Sequence, residues 1–261
     1  MGRTGRMAKR VLDLPLKPFG LELVRRRPPV PAVAPPSKKA TGLGRIAHAA
    51  SLGFTPRVIF DCGAYDGSWA AETAQTFPGA QLVLVEPNPQ LQSKIRQNIA
   101  GIQPAPIVVD AAVGETEGTA HLNVWGNEQT STAGSSLLGH VQGEAGTRVE
   151  VKVLTIDAIA AREGKSPDFL KLDLQGFELP ALKGATTALQ SCELCQIEFG
   201  VLEAYIGRTT PRQVLDVMYD FNFTLYDVVD LIYRPYDDAL TGGDFVFVKN
   251  DSPLRKYKAF R

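Results

Sequence analysis

The stretch "VIFDCGAYDGSW" (58–69) sets an acid, Asp61, near the end of an apolar run and follows it with Gly63 and Gly67. In an open α/β sheet, ligands bind beyond the carboxyl ends of the strands, near the switch point beside the first strand. Gly63 lets the backbone turn tightly there, and Gly67 lets the following helix start close to a ligand. A dinucleotide cradle would read GxGxxG, with backbone donors aimed at a pyrophosphate. The spacing here is DxGxxxG, which better suits a ligand without phosphates. Two further acids end apolar runs. Glu86 closes "LVLVE", 25 residues after Asp61, where a carboxylate can accept both hydroxyls of a ribose and would repel a 2′-phosphate. Asp110 closes "IVVD", in place to accept from an adenine amino group. S-adenosylmethionine, a nucleoside carrying an amino acid in place of phosphates, meets these requirements. Any one of these acids would serve equally as a cap or turn residue, but three at successive strand ends point to a ligand.

The elements that must hold these residues follow from periodicity. Strands are expected near 57–62, 81–86 and 105–110, with helices over 68–77 and 88–100 between them. In the second helix Leu91, Ile95 and Ile99 recur every four residues and make one face apolar. A β-α-β-α-β order implies a parallel sheet with right-handed crossovers. The period then changes. Leu122 and Val124, and Val149, Val151 and Val153, alternate with polar residues and read as two half-exposed strands flanking a Gly/Ser-rich loop at 126–147. Loops of that length inside compact domains are often functional. Strand and helix resume with "DFLKLDL" (168–174), a helix over "LPALKGATTALQ" (179–190) that tolerates Pro180 in its first turn, and the strand "ELCQIEF" (193–199). A helix over "PRQVLDVMYDF" (211–221) follows, with Val214, Val217, Met218 and Phe221 at core spacing. "FTLYDVVDLIYR" and "GDFVFVK" close the chain as two strands with no helix-length crossover between them, hence a terminal antiparallel pair.

Size and charge narrow the classes. The chain has 261 residues, 44% of them hydrophobic, enough for one substantial core. Its net charge is zero, which argues against a whole-domain grip on nucleic acid. The balance is uneven: residues 1–45 hold 11 Lys and Arg against 2 Asp and Glu, leaving 17 against 26 for the remainder. We therefore read residues 1–45 as a basic, Pro-rich arm and 46–261 as the domain. "RRRPPVPAVAPPSKK" cannot form a helix, because its prolines lack donors and clash with a preceding turn. "VLDLPLKPFGLELV" before it has the makings of a small docking element, and the arm's charge offers a contact to an acidic surface. Three cysteines without a disulfide framework fit a reducing, cytoplasmic setting, and Cys192 and Cys195 read as ordinary buried thiols. No apolar run approaches the roughly 20 residues of a transmembrane segment, and the N-terminus does not read as a secretory signal.

Taken together, "FDCGAYDG", "VEPNP", "DAAVG", "SSLL", "VLTID", "FLKLDLQGFELPALKGA" and "IEF" resemble the ordered motifs of the FkbM-type S-adenosylmethionine-dependent methyltransferases. The resemblance covers about residues 57–248, and "KLDLQGFELPALKGA" is its most specific part. It implies an α/β, Rossmann-like class I methyltransferase fold, a seven-stranded mostly parallel sheet with a terminal antiparallel strand and helices on both faces. It also implies O-methylation of a hydroxyl on a sugar, glycolipid or secondary metabolite. Carried onto this chain, the pattern places the cofactor on Asp61, Gly63, Glu86 and Asp110; Ala64, Gly67, Pro87 and Ala111, in the same turns, complete the candidate cofactor-binding set. The basic arm lies outside the shared pattern.

Methyl transfer to a hydroxyl needs the acceptor oxygen held against the methyl carbon and its proton taken. A positioned base contributes about 10²- to 10⁴-fold. Of the three histidines, His48 precedes the core, His121 falls on the polar side of a strand, and His140 in the long loop is the one candidate. Carboxylates fit better. Asp173 ends the fourth strand of the sheet, Glu178 follows one turn of chain later at the mouth of the next helix, and Glu198 ends the fifth strand. The three could act as base, orient the acceptor or bind a divalent cation, which is not expected to be required. Glu178 would equally suit the helix dipole, and Lys171 between Leu170 and Leu172 reads as solvated or paired. Ser135 and Ser136 in the loop could meet a sugar hydroxyl or make turns. The sequence is thus that of an S-adenosylmethionine-dependent enzyme with a small-molecule or glycan acceptor, compatible with a homo-oligomer and not with nucleic acid. Its rivals are an NAD-dependent dehydrogenase, disfavoured by the missing third glycine, and a non-catalytic module that keeps the cofactor pocket.

Overall fold

The computed structural model describes residues 41–126, 132, 134–141 and 146–257. The arm through residue 40 and parts of the loop at 126–147 lie outside the described residues. Chain order runs α1 (Gly42–Ser51), β1 (Val58–Cys62), α2 (Ser68–Thr76), β2 (Gln81–Val85), α3 (Gln92–Asn98), β3 (Ile107–Val109), β4 (Ala112–Val113), β5 (Gly118–Val124) and β6 (Thr147–Leu154). It continues with α4 (Ile156–Glu163), β7 (Phe169–Leu172), α5 (Glu178–Lys183), α6 (Ala188–Ser191), β8 (Leu194–Gly200), α7 (Pro211–Asp220), β9 (Phe223–Tyr233) and β10 (Leu240–Lys249).

Seven strands form one sheet in the order β3-β2-β1-β7-β8-β10-β9. All pairings through β8 are parallel, and β10 runs antiparallel to both β8 and β9. The alternating α/β layout and terminal antiparallel strand are as expected. Parallel strands covered on both faces must be apolar throughout, and β7 is buried at every residue of "FLKL". Residues alternate between two cores. Phe60, Leu170, Leu172 and Ile197 pack with Ile156, Leu182 and Met218 from α4, α5 and α7. Ile59, Leu82, Leu84 and Phe169 pack with Ile46, Ala70 and Ile95 from α1, α2 and α3. A separate three-stranded sheet, β4-β6-β5, holds Leu122, Val124, Val151 and Val153 in a small core of its own, with the alternate residues turned outward.

Three departures from the sequence reading have local causes. The single helix expected over 179–190 is two, α5 and α6. Gly184 ends the first where a Cβ would stand 2.1 Å from the Gly114 carbonyl oxygen. The Asp157 carboxylate then accepts from the Thr187 and Ala188 amides, restarting the helix. The helix expected over 88–100 is α3, preceded by a 3₁₀ turn at Pro89–Leu91 that the Asn88 side chain caps at the Gln90 amide. Helix α1, which periodicity did not reveal, is capped by Thr41 and starts within the stretch assigned to the arm. Its first amide, Gly42, donates to Asp230 of β9 at 2.7 Å, and Arg45 pairs with Asp227 of the same strand. Among the described residues no helix is long and apolar enough to cross a membrane.

One glycine fixes how the first strand meets the site. Gly63 has φ +81°, donates its amide to the Val85 carbonyl at 2.9 Å, and would set a Cβ 1.9 Å from the Asp173 carbonyl oxygen. Both the left-handed backbone and the contact exclude a side chain. Gly63→Ala is expected to lower unfolding free energy by about 3 kcal/mol or more in urea titration. A loss within about 0.5 kcal/mol would show that the turn has room the structure denies it.

Candidate functional site

A cavity opens beyond the carboxyl ends of β1, β2 and β7. Gly63, Tyr65, Glu86, Pro87 and Asn88 form one wall, Ala111, Ala112, Val113 and Leu122 another, and Ser135, Ser136, Asp173, Gln175 and Phe177 complete it. Glu86 is 7% exposed, and its two carboxylate oxygens are each held by a backbone amide, Tyr65 and Asn88, at 2.9 Å. Tyr65 reaches that position with φ +50°. Burial pushes the Glu86 carboxyl up to about 7, against the pull of the two amides. Each oxygen keeps a lone pair for a further donor. Two other groups on the wall, Asn88 Nδ2 and Thr132 Oγ1, are buried and have no hydrogen-bond partner among the described residues. Buried polar atoms of this kind are ordinarily satisfied. A largely apolar cavity with a buried carboxylate that keeps free lone pairs and two unpaired polar atoms has room and chemistry for a nucleoside.

Beneath this wall lies a buried charge cluster. Asp61 is fully buried, and Lys171, its register partner across β1 and β7, brings Nζ within 3.5 Å of Oδ1. The same ammonium stands 3.3 Å from Asp173 Oδ2 and 5.4 Å from the centre of the Trp69 ring. Burial works against the Lys171 charge, yet Asp173 and Asp61 outweigh it and hold the ammonium above the usual lysine range. Burial likewise pushes Asp61 up to about 6, with Lys171 opposing. Across the β8–β10 ladder Asp244 faces Glu198, accepts from Gln196, and is pushed up to about 6 by burial.

The structure thus gathers Gly63, Glu86, Pro87, Ala111 and Asp173 around one cavity. It sets the other candidates elsewhere. Asp61 lies below the wall, paired with Lys171, and Ala64 is buried with its amide on the Val85 carbonyl. Gly67, φ +79°, faces Ile95 and Ile99, so its lack of a side chain serves the packing of α2 on α3. Asp110 is exposed after β3, its Oδ1 3.5 Å from the Gln92 side-chain Nε2. Glu178 is buried at the start of α5, its Oε1 accepting from the Leu174 and Gly176 amides at 3.1 Å each, and burial pushes it up to about 7. Glu198 accepts from the amide and the side chain of Gln175; burial first, then Asp173 and Glu178, hold it well above the usual carboxyl range. His140 is not on the wall. Its ring packs edge-on between Trp125 and Tyr205, 5.6 Å from each, and its backbone bridges to Tyr205.

Ser135 Oγ donates to the Thr132 carbonyl and Ser136 Oγ to the Gln175 carbonyl, so both serines also tie the loop down. Among the described residues no group of three or more His, Cys, Asp or Glu could hold a metal ion. Sequence reasoning missed Asn88, Gln175 and Tyr205. The first two sit inside quoted motifs, "VEPNP" and "LDLQGFE", as uncharged neighbours of the acids that drew notice. Tyr205 falls in an irregular segment with no periodicity to mark it.

Comparison with known proteins now adds family evidence. The methyltransferase FkbM domain matches residues 61–225. The 2-O-methyltransferase NoeI of Sinorhizobium fredii (strain NBRC 101917 / NGR234) is 25% identical over 175 residues, 63% of this chain and 72% of that protein. Among solved structures, magnesium protoporphyrin IX methyltransferase from Synechocystis PCC 6803 with bound SAM aligns over 79% of this chain and 76% of its own at 12% identity and a TM-score of 0.47. An O-methyltransferase family protein from Burkholderia thailandensis aligns over 79% and 55% at 8% identity and a TM-score of 0.44. Both structural likenesses are too low to bear on chemistry.

The buried acids make stability depend on pH. The folded chain holds the Glu178 proton up to about 7, whereas the free carboxyl loses it near 4.5. Stability therefore falls as pH rises through that window. Glu178→Gln, which keeps an acceptor for the two amides and cannot ionise, is expected to remove on the order of 2 kcal/mol of this dependence. The drop in Tm between pH 5 and pH 8 then shrinks by about 4–8 °C. An unchanged drop, followed by scanning calorimetry without ligand, sinks the assignment.

Proposed function

The chain belongs to the methyltransferase FkbM domain family, and from that membership we propose that it is an S-adenosylmethionine-dependent O-methyltransferase acting on a hydroxyl of a sugar, glycolipid or secondary-metabolite acceptor. The observation that carries the reading is the placement of Glu86 and Asp173 on one apolar-walled cavity, each at the end of a strand of the same sheet. Similarity to a 2-O-methyltransferase supports a hydroxyl acceptor. Bound in this cavity, S-adenosylmethionine supplies an electrophilic methyl group on a sulfonium, leaving S-adenosylhomocysteine once an acceptor oxygen has taken the methyl.

The protein's part is binding, orientation and proton removal. Glu86 accepts the ribose hydroxyls with the lone pairs its two amides leave free, Asn88 Nδ2 offers a donor, and the Ala111–Val113 wall packs the base. Asp173 takes the acceptor hydroxyl's proton, its orientation fixed by Lys171 at 3.3 Å and by the Gln175 side chain at 2.9 Å. Ser135 and Ser136, both on the cavity wall, are tied to the Thr132 and Gln175 carbonyls.

Glu86→Gln is expected to weaken S-adenosylhomocysteine binding about 10- to 100-fold, measured by calorimetry. Because the ionised form of Glu86 is the better acceptor and its pKa is about 7, wild-type affinity falls as pH drops from 8 to 6. The variant lacks that slope. Labelled-methyl transfer into cell extract identifies the acceptor. Asp173→Asn is expected to keep cofactor affinity and lose transfer about 10²-fold or more. Full transfer by that variant rejects Asp173 as base, and absence of S-adenosylhomocysteine binding by the wild type rejects the reading outright.

A further inference from the structure

The turn after β7 contains a side chain that no motif assigned. Gln175 sits at φ +52°, in the left-handed region that costs a non-glycine residue strain, and Gly176 follows at φ +98°. The conformation is held from several sides. Ser136 Oγ donates to the Gln175 carbonyl at 2.9 Å, the Thr209 amide donates to the Gly176 carbonyl at 2.7 Å, and Glu178 accepts the Gly176 amide. The result aims one carboxamide between two acids. Gln175 Nε2 donates to Asp173 Oδ1 at 2.9 Å and to Glu198 Oε1 at 3.1 Å, while the Gln175 amide donates to Glu198 Oε2 at 3.2 Å. At its other end Oε1 lies 3.0 Å from the Tyr205 hydroxyl, whose one proton is shared between it and the Gly134 carbonyl at 2.9 Å. The reverse amide orientation would set a carbonyl oxygen against two carboxyl groups, so the network fixes which end faces them.

We propose that Gln175 is a positioning residue for the reaction, one that orients the Asp173 carboxylate and separates it from Glu198. The proposal rests on the reading of Asp173 as proton acceptor. With Oδ2 toward Lys171 and Oδ1 toward Gln175, rotation of the carboxylate would break both contacts, and Asp173 lines the cavity in that orientation. The carboxamide also gives each acid its own N–H donor and stands between them. The charged and titratable groups facing Asp173 are Lys171 on β7, Asp61 on β1, Glu86 after β2, Glu178 on α5, Glu198 on β8, Tyr205 after β8 and Asp244 on β10. Arg208 faces the Glu198 side of the cluster.

Two substitutions test this on the full chain, with labelled-methyl transfer into one labelled product of a fixed extract, S-adenosylmethionine being varied up to saturation. Gln175→Asn suits the left-handed backbone and keeps the chemical group, but is one carbon too short to span both acids. Its transfer rate is expected to fall about tenfold or more while KM for S-adenosylmethionine stays within about twofold. Gln175→Glu keeps the length and replaces the donor with a third acid. Three carboxyls in contact then share protons, and the acid limb of its pH–rate profile moves up by about one pH unit or more. A purely structural residue would lower the rate evenly at every pH. Wild-type rate in Gln175→Asn, or an unmoved acid limb in Gln175→Glu, overturns the proposal while leaving Asp173 in place if Asp173→Asn is inactive. Full transfer by Asp173→Asn removes both the base and the residue that would position it.

Discussion

One lysine inside the sheet decides how the site is built. Lys171 is 6% exposed in the middle of a strand otherwise made of Phe and Leu. An ammonium in that position is tolerable only with paired charge beside it, since an isolated buried ion costs several kcal/mol. Asp61 on the neighbouring strand and Asp173 at the end of the same strand supply it. The pairing is therefore a constraint of register. A slip of one residue between β1 and β7 would turn Asp61 to the opposite face and strand both charges in hydrocarbon. Because Asp173 belongs both to this pairing and to the cavity wall, the cluster that satisfies the interior of the fold also orients a carboxylate on that wall.

Around that anchor, the strand ends of the seven-stranded sheet act as a collecting edge. Glu86 and Asp173 come from strands on either side of β1, and the turns after them, held by Tyr65, Asn88 and Gln175, decide where each carboxylate points. The reversed strand β10 brings Asp244 to the same edge opposite Glu198. Acids crowded this closely stay in place because most of them either accept from backbone amides or share donors. Burial raises Asp61, Glu86, Glu178, Glu198 and Asp244 alike. The edge consequently holds protons more tightly than its composition suggests.

Much of the frame was legible because buried parallel strands must be apolar and their ends must turn. The runs before Asp61 and Glu86 set β1 and β2 to within a residue or two, and "FLKLDL" located β7. Helix α7 was legible from Val214, Val217, Met218 and Phe221 at core spacing, and the structure adds reciprocal bonds between Thr210 and Gln213 at its start. What stayed hidden depends on partners distant in sequence. Lys171 looks like a surface residue until Asp61 is placed beside it, and Gly67 looks like a ligand-facing glycine until α3 arrives against it. Gln175 gains its meaning from Glu198 and Tyr205, 23 and 30 residues further on. Acids at strand ends can be found by pattern; the neutral groups that steer them require the fold.

The placement of β1 between β2 and β7 has a consequence for biogenesis. One neighbour follows 23 residues on in the paired register, but the other is separated by 110. Until that later segment leaves the ribosome, Asp61 is an acid in a hydrophobic strand without its counter-ion, and the nascent sheet has an open central edge. High contact order of this kind slows folding and exposes unpaired strand to aggregation. The strand edge that carries Glu86 and Asp173 therefore cannot close before β7 has been made, and Glu198 and Asp244 join it later still.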